Sequence, residues 1–140
     1  IHDPNCRSNA WRFSHPNGPS AIYVRSLGGT VIRYNGLIGS DPHRWDDVIE
    51  GWNNGSEKGS VYRDADIYGN MLAFANDDGI ELDGGQMNSK FHHNKIEGCL
   101  CGISTAPCFL DCVVTRFLPK LQGNESAPPP RTKRFFSHSV

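Results

Sequence analysis

Apolar residues in this chain fall in short runs at alternate positions, separated by turn-forming residues. Three segments share the pattern apolar-x-x-Asn-x-apolar: Ile32-Arg-Tyr-Asn35-Gly-Leu37, Ile67-Tyr-Gly-Asn70-Met-Leu72 and Phe91-His-His-Asn94-Lys-Ile96, with Asn-to-Asn steps of 35 and 24 residues. A second run precedes each of these and then recurs once more, carried by Ile22, Ile49, Ile80 and Ile103 at steps of 27, 31 and 23. Val113-Val-Thr-Arg116-Phe-Leu118 follows as a degenerate copy of the first pattern, with Arg116 in the Asn position. Within the runs, apolar side chains stand at i and i+2, the period of a strand and not of a helix.

Two strand-like runs thus return in fixed order roughly every two dozen residues, with insertions in the longer units. The largest insertion, between Trp45 and Tyr62, carries Gly51, Asn53, Asn54, Gly55 and Gly59, which predicts a loop. No gap has room for an amphipathic crossover helix, so a βαβ sheet is excluded. Short parallel strands joined by turns then stack on their equivalents in the next repeat, ~4.8 Å away. The expected fold is all-β, a right-handed parallel β-helix solenoid of about four coils over residues 21–118. Residues 1–20 are expected to be a lead-in or cap, with Trp11 and Phe13 as capping candidates, and 119–140 a disordered, Pro-rich basic tail. In such a stack Asn35, Asn70 and Asn94 share one turn, where their amides pair with each other and with backbone groups left bare by the bend.

The alternation of Gly-Ile-x-Leu with Ile-x-x-Asn-x-Leu, clearest in NDDGIELDGG followed by FHHNKIEGCLCGIS, resembles the repeat of the pectate-lyase-like parallel β-helix superfamily. The resemblance covers about Ala21 to Leu118. It implies the β-helix fold and a carbohydrate-active function, within a group that spans polysaccharide lyases, glycoside hydrolases, epimerases, tailspikes and non-catalytic adhesins. It also implies a route for lyase chemistry, in which calcium neutralises a uronate carboxylate while a nearby base removes the adjacent proton. Arg25, Lys90, His92 and His93 are the basic groups available for that step.

Composition adds limits. The 140 residues carry 14 Lys+Arg against 15 Asp+Glu, a net −1, without the basic excess of a nucleic-acid binder. No apolar run approaches the ~18 residues of a membrane span. The average conceals an asymmetry: from Asp41 to Asp83 eleven acids face three bases, whereas from Val113 onward five bases face Glu125 alone. Arg131, Lys133 and Arg134 are too few to be read as a nucleic-acid patch. Four coils are few for a capped solenoid, and the chain opens on Ile1, so a processed chain or a segment of a longer β-helix is expected, with a secreted or cell-surface location.

The acidic third holds the candidate chemistry. With the Ile column pointing inward, Glu50, Glu81 and Asp83 point outward on one sheet, Glu50 beside Glu81, between Tyr23 and Ser104. Like charges so placed call for a shared proton, a cation or a basic substrate group. Carboxylates ~5 Å apart suit a retaining glycosidase and wider pairs an inverting one. Asp46-Asp47 and Asp77-Asp78 precede their Ile by the same offset and should stack at one turn, offering hard oxygen ligands for calcium. Both groups also read as ordinary solvated strand and turn residues.

The expected function is that of a carbohydrate-active protein, a polysaccharide lyase or glycoside hydrolase acting on an extended glycan. Glu50, Glu81, Asp83 and His92 are the catalytic candidates. Tyr23, Arg25 and Trp52 are the candidates for holding the polysaccharide or oligosaccharide, and Asp46, Asp47, Asp77 and Asp78 for holding calcium. The other class is a non-catalytic structural or adhesin-like module. Alternation across His92 and His93 predicts that only one of the pair faces solvent. The cysteines lack zinc-site spacing and read either as a Cys108–Cys112 disulfide or as small interior fillers. Asn54-Gly-Ser56 and Asn124-Glu-Ser126 match the glycosylation acceptor pattern, which is short enough to arise by chance.

Overall fold

The computed structural model describes residues 1–12, 14–81 and 83–105, together with the backbone of strands Cys112–Thr115 and Leu118–Pro119. The expected tail, the Cys108–Cys112 disulfide and the capping role of Phe13 lie outside these residues.

The described residues are all-β. The first sheet joins β1 (Ile22–Val24), β4 (Ile49–Gly51), β8 (Asp78–Glu81) and β12 (Cys101–Ser104) in that order. The second joins β2 (Val31–Arg33), β6 (Asp66–Tyr68), β10 (Ser89–His92) and β13 (Cys112–Thr115). The third joins β3 (Gly36–Ile38), β7 (Met71–Ala73), β11 (Lys95–Glu97) and β14 (Leu118–Pro119). A short pair, β5 (Tyr62–Arg63) with β9 (Gln86–Met87), sits between the first and second sheets in sequence. All strand pairs are parallel, and the chain visits the three sheets in the same order four times, as a parallel β-solenoid would. No helix of the described residues is long and apolar enough to cross a membrane.

The apolar columns expected from the repeats are in register. Ile22, Ile49, Ile80 and Ile103 are successive partners in the first sheet. Ile32, Ile67 and Phe91 form the column of the second sheet, and Leu37, Leu72 and Ile96 that of the third. Most of these side chains are fully buried and meet in one core, each worth roughly 1.5–3 kcal/mol for leaving water. Alternation puts their neighbours outside, which is why one strand both fills the core and displays polar groups.

The corner between the second and third sheets explains the repeated Asn. Tyr34 (φ 56°), Gly69 (φ 66°) and His93 (φ 55°) adopt the left-handed conformation immediately before Asn35, Asn70 and Asn94. At Gly69 a β-carbon would lie 2.7 Å from the Tyr34 ring, so glycine fits there for space as well as for φ. Asn70 Nδ2 donates to Asn94 Oδ1 at 2.9 Å and to the Ile32 carbonyl at 3.0 Å. Asn35 Nδ2 and its backbone N–H both donate to Asn70 Oδ1 at 3.0 Å. Asn70 and Asn94 are buried, so the ladder satisfies groups that would otherwise be stranded at each bend.

One placement differs from expectation. In the fourth pass Val114 pairs with Phe91, and Pro119 with Ile96, one residue later than the Val113 to Leu118 motif predicts. Arg116 has no side-chain amide with which to continue the Asn ladder. At the opposite edge, Ile1 to Asp3 runs parallel to β3, with the Ile38 N–H donating to the Ile1 carbonyl at 3.0 Å and the Asp3 N–H to the Ile38 carbonyl at 2.9 Å.

Candidate functional site

Turn residues before the first sheet stack as the doublets predict. The Asp46 N–H donates to the Pro19 carbonyl at 2.9 Å, Asp77 to Asp46 at 3.0 Å, and Leu100 to Asp77 at 2.9 Å. Residues 20, 47, 78 and 101 therefore form one column, and Asp47 Oδ1 accepts the Asp78 N–H at 2.8 Å. The column follows the inward parity of the isoleucines, so Asp47 and Asp78 are buried at 6% and 7% exposure. One position beyond each Ile, Tyr23 pairs with Glu50 and Glu81 with Ser104, so Glu50 and Glu81 hold equivalent places on adjacent strands.

These columns converge on an open pocket of about 550 Å³ lined by Tyr23, Asp46, Asp47, Glu50 and Glu81 together with His15, Ser20 and Asn54. Asp47, Glu50 and Glu81 each bring a carboxylate oxygen within 4.8 Å of the others. Asp47 also forms a second such group with Asp77 and Asp78. Ser20 Oγ donates to Glu50 Oε2 at 2.5 Å, the Gly18 N–H donates to Asp46 Oδ2 at 3.0 Å, and Asn54 hydrogen-bonds Glu81. His15 Nε2 stands 3.7 Å from Asp77 Oδ2 at the rim.

Burial dominates the electrostatics. It pushes the Asp47 carboxyl up to about 8, with the charges of Glu81, Asp78 and Asp46 adding to it against the Asp78 N–H bond. Burial likewise raises Asp78 to about 7, with Asp77 as the next contributor. Glu81 rises to about 7, again chiefly through burial, opposed by the Asn54 hydrogen bond and reinforced by Asp83 and Glu50. Asp46 is raised by burial and by Glu50. At neutral pH the cluster therefore holds protons, or a cation in their place.

The donor set fits a hard divalent cation. Calcium takes carboxylate oxygens at 2.3–2.6 Å, so oxygens less than 5 Å apart can lie across one ion. Asp47, Glu50 and Glu81, or Asp47, Asp77 and Asp78, meet that spacing.

Other sequence candidates lie elsewhere. Arg25 stacks its guanidinium 4.4 Å from the Trp52 ring centroid, so one face of the indole is covered by a cation. Asp83 accepts from Ser104 Oγ at 2.8 Å, beyond the pocket lining. His92 ends β10 in the second sheet and is not brought to the carboxylates; its Nε2–H donates to Asp66 Oδ1 at 2.8 Å. Of the histidine pair His93 is exposed, while His92 is 24% exposed and held between Asp66 and Tyr68; the left-handed corner at His93 breaks the strand alternation and brings the two rings together. Cys6, Cys99 and Cys101 are free thiols, with Cys99 packed against the core.

Sequence reasoning missed Ser20, His15 and Asn54. Ser20 was detectable, since it precedes Ile22 by the offset that separates Asp47 from Ile49. His15 and Asn54 lie outside the repeats, in the lead-in and the inserted loop, and no periodic signal marks them. Asn54 is half-buried against Glu81, an unsuitable place for a glycan acceptor. No protein-family model matches the chain, and comparison with curated proteins and with solved structures found no match.

Proposed function

We propose that the three sheets wind as a right-handed parallel β-helix of the pectate-lyase-like kind and that the protein is a glycoside hydrolase cleaving an extended glycan at the Glu50–Glu81 pair. The observation that carries this is the pair itself: two carboxylates on adjacent strands of an open pocket, oxygens within 4.8 Å, with burial pushing the Glu81 carboxyl up to about 7. Hydrolysis is favoured over uronate lyase chemistry because no Lys or Arg among the described residues lines the pocket and Arg25 is engaged with Trp52.

Glu81 is the general acid. Its proton passes to the glycosidic oxygen as the bond to the anomeric carbon breaks, and Glu50, oriented by Ser20 Oγ, attacks that carbon to give a glycosyl ester. Glu81, now a carboxylate, takes a proton from water. The water oxygen attacks the anomeric carbon, and Glu50 is released as a carboxylate. Placement on adjacent strands suits a retaining pair, for which ~5–5.5 Å between the carboxyl groups is usual, over the wider spacing of an inverting one. Tyr23, 56% exposed beside Glu50, offers a sugar-facing ring. Calcium, held by Asp47 with Asp77 and Asp78, would neutralise charge behind the pair and hold the turn in place.

Replacing Glu81 by Gln keeps the shape and the Asn54 contact but removes the proton. Reducing-end release from a panel of neutral and acidic polysaccharides should fall at least 100-fold in Glu81→Gln and in Glu50→Gln, with circular dichroism unchanged. Wild-type protein that cleaves nothing on the panel would instead support a non-catalytic module.

A further inference from the structure

A second cluster of ligating side chains lies on a different face. His92 closes β10, and the left-handed His93 turns its ring back so that the two Nδ1 atoms are 2.8 Å apart, with the rings edge to face at 85°. On its other side His92 Nε2–H donates to Asp66 Oδ1 at 2.8 Å, which fixes the tautomer and leaves Nδ1 as a lone-pair donor. Tyr68 stacks on the His92 ring at 4.9 Å and 7°, holding its plane, while His93 is exposed.

We propose that His92 and His93 form a surface site for a divalent transition-metal ion, with both Nδ1 atoms as ligands and Asp66 as the carboxylate behind His92. Carboxylate–histidine pairs of this kind orient the ring and raise its basicity toward a metal. Imidazole nitrogens select zinc, copper or nickel over the hard cations suited to the carboxylate pocket. Zinc bonds nitrogen at 2.0–2.1 Å, so two nitrogens on a tetrahedral ion sit about 3.3 Å apart. Opening the present contact by about half an ångström reaches that spacing, a small rotation for the exposed His93 ring. Water completes the coordination on the solvent side. The site is independent of the glycan pocket, since no residue of one belongs to the other.

The test is zinc titration of the protein followed by histidine ring 15N NMR, which separates this site from thiols and other histidines. The first equivalent of Zn²⁺ should move the Nδ1 resonances of His92 and His93 together. His93→Asn, which tolerates the left-handed backbone, should weaken that binding at least tenfold, and Asp66→Asn by 10–100-fold. Shifts confined to other residues, or unchanged affinity in His93→Asn with the fold retained, would overturn the proposal; the 2.8 Å contact would then be only a hydrogen bond between two rings.

Discussion

Asp47 is the residue through which the acidic site and the fold meet. Its side chain is buried, belongs to both carboxylate groups, and accepts the Asp78 N–H that continues the turn stack. An amide of the same shape keeps that acceptor and removes the buried charge. Asp47→Asn should therefore stabilise the protein at pH 8 by about 1–2 kcal/mol in chemical denaturation, whereas Asp47→Ala should destabilise it by about 1–3 kcal/mol by stranding the N–H. Equal effects of the two would contradict the assignment. The doublets were legible as a stacked turn because their offset from Ile49 and Ile80 is constant. Their burial was harder to read: alternation counted backward from the isoleucine points both side chains inward, but a carboxylate in that place runs against ordinary patterning, so the doublets also read as solvated turn residues.

Among the elements, the strands were the most readable part of the chain. Ile22, Ile49, Ile80 and Ile103 announce the first sheet because a column in a parallel stack tolerates little besides one shape, and strand alternation then fixes what faces out. The corner was legible for a different reason: a buried amide must find partners, and successive amides are the nearest. Asn70 lies in the middle of that ladder, bonding in both directions, while Asn35 is at its end. Asn70→Ala should cost more than Asn35→Ala, by about 2 kcal/mol, in urea unfolding. Where the amide gives out at Arg116, the sequence motif and the observed register part by one residue. His92 shows the limit of alternation itself, because the left-handed residue after it redirects a side chain that strand periodicity would have sent to the other face.

At the scale of the whole molecule, the acidic cluster makes stability depend on pH. Asp47, Asp78 and Glu81 have folded values near 8, 7 and 7, above the ~4 of an unfolded carboxyl. Between those limits the folded state holds more protons than the unfolded one, so the stability these groups contribute is full below about pH 4 and is lost as pH rises toward 8. The melting temperature in metal-free buffer should fall by roughly 5–10 °C between pH 5 and pH 8, corresponding to about 1–2 kcal/mol. Millimolar calcium should restore part of that loss at pH 8 and do little at pH 5, where protons occupy the carboxylates. A melting temperature indifferent to calcium at both values would remove the cation from the account.

If Glu50 and Glu81 cleave a glycan by the proposed retaining route, the stereochemistry of the first product records it. Proton NMR recorded from the start of the reaction, on whichever polysaccharide of the panel is cleaved, should show the anomeric signal of the scissile sugar appearing with unchanged configuration before it mutarotates. Inverted product, an unsaturated sugar end, or no cleavage of any glycan would contradict the assignment of the pair.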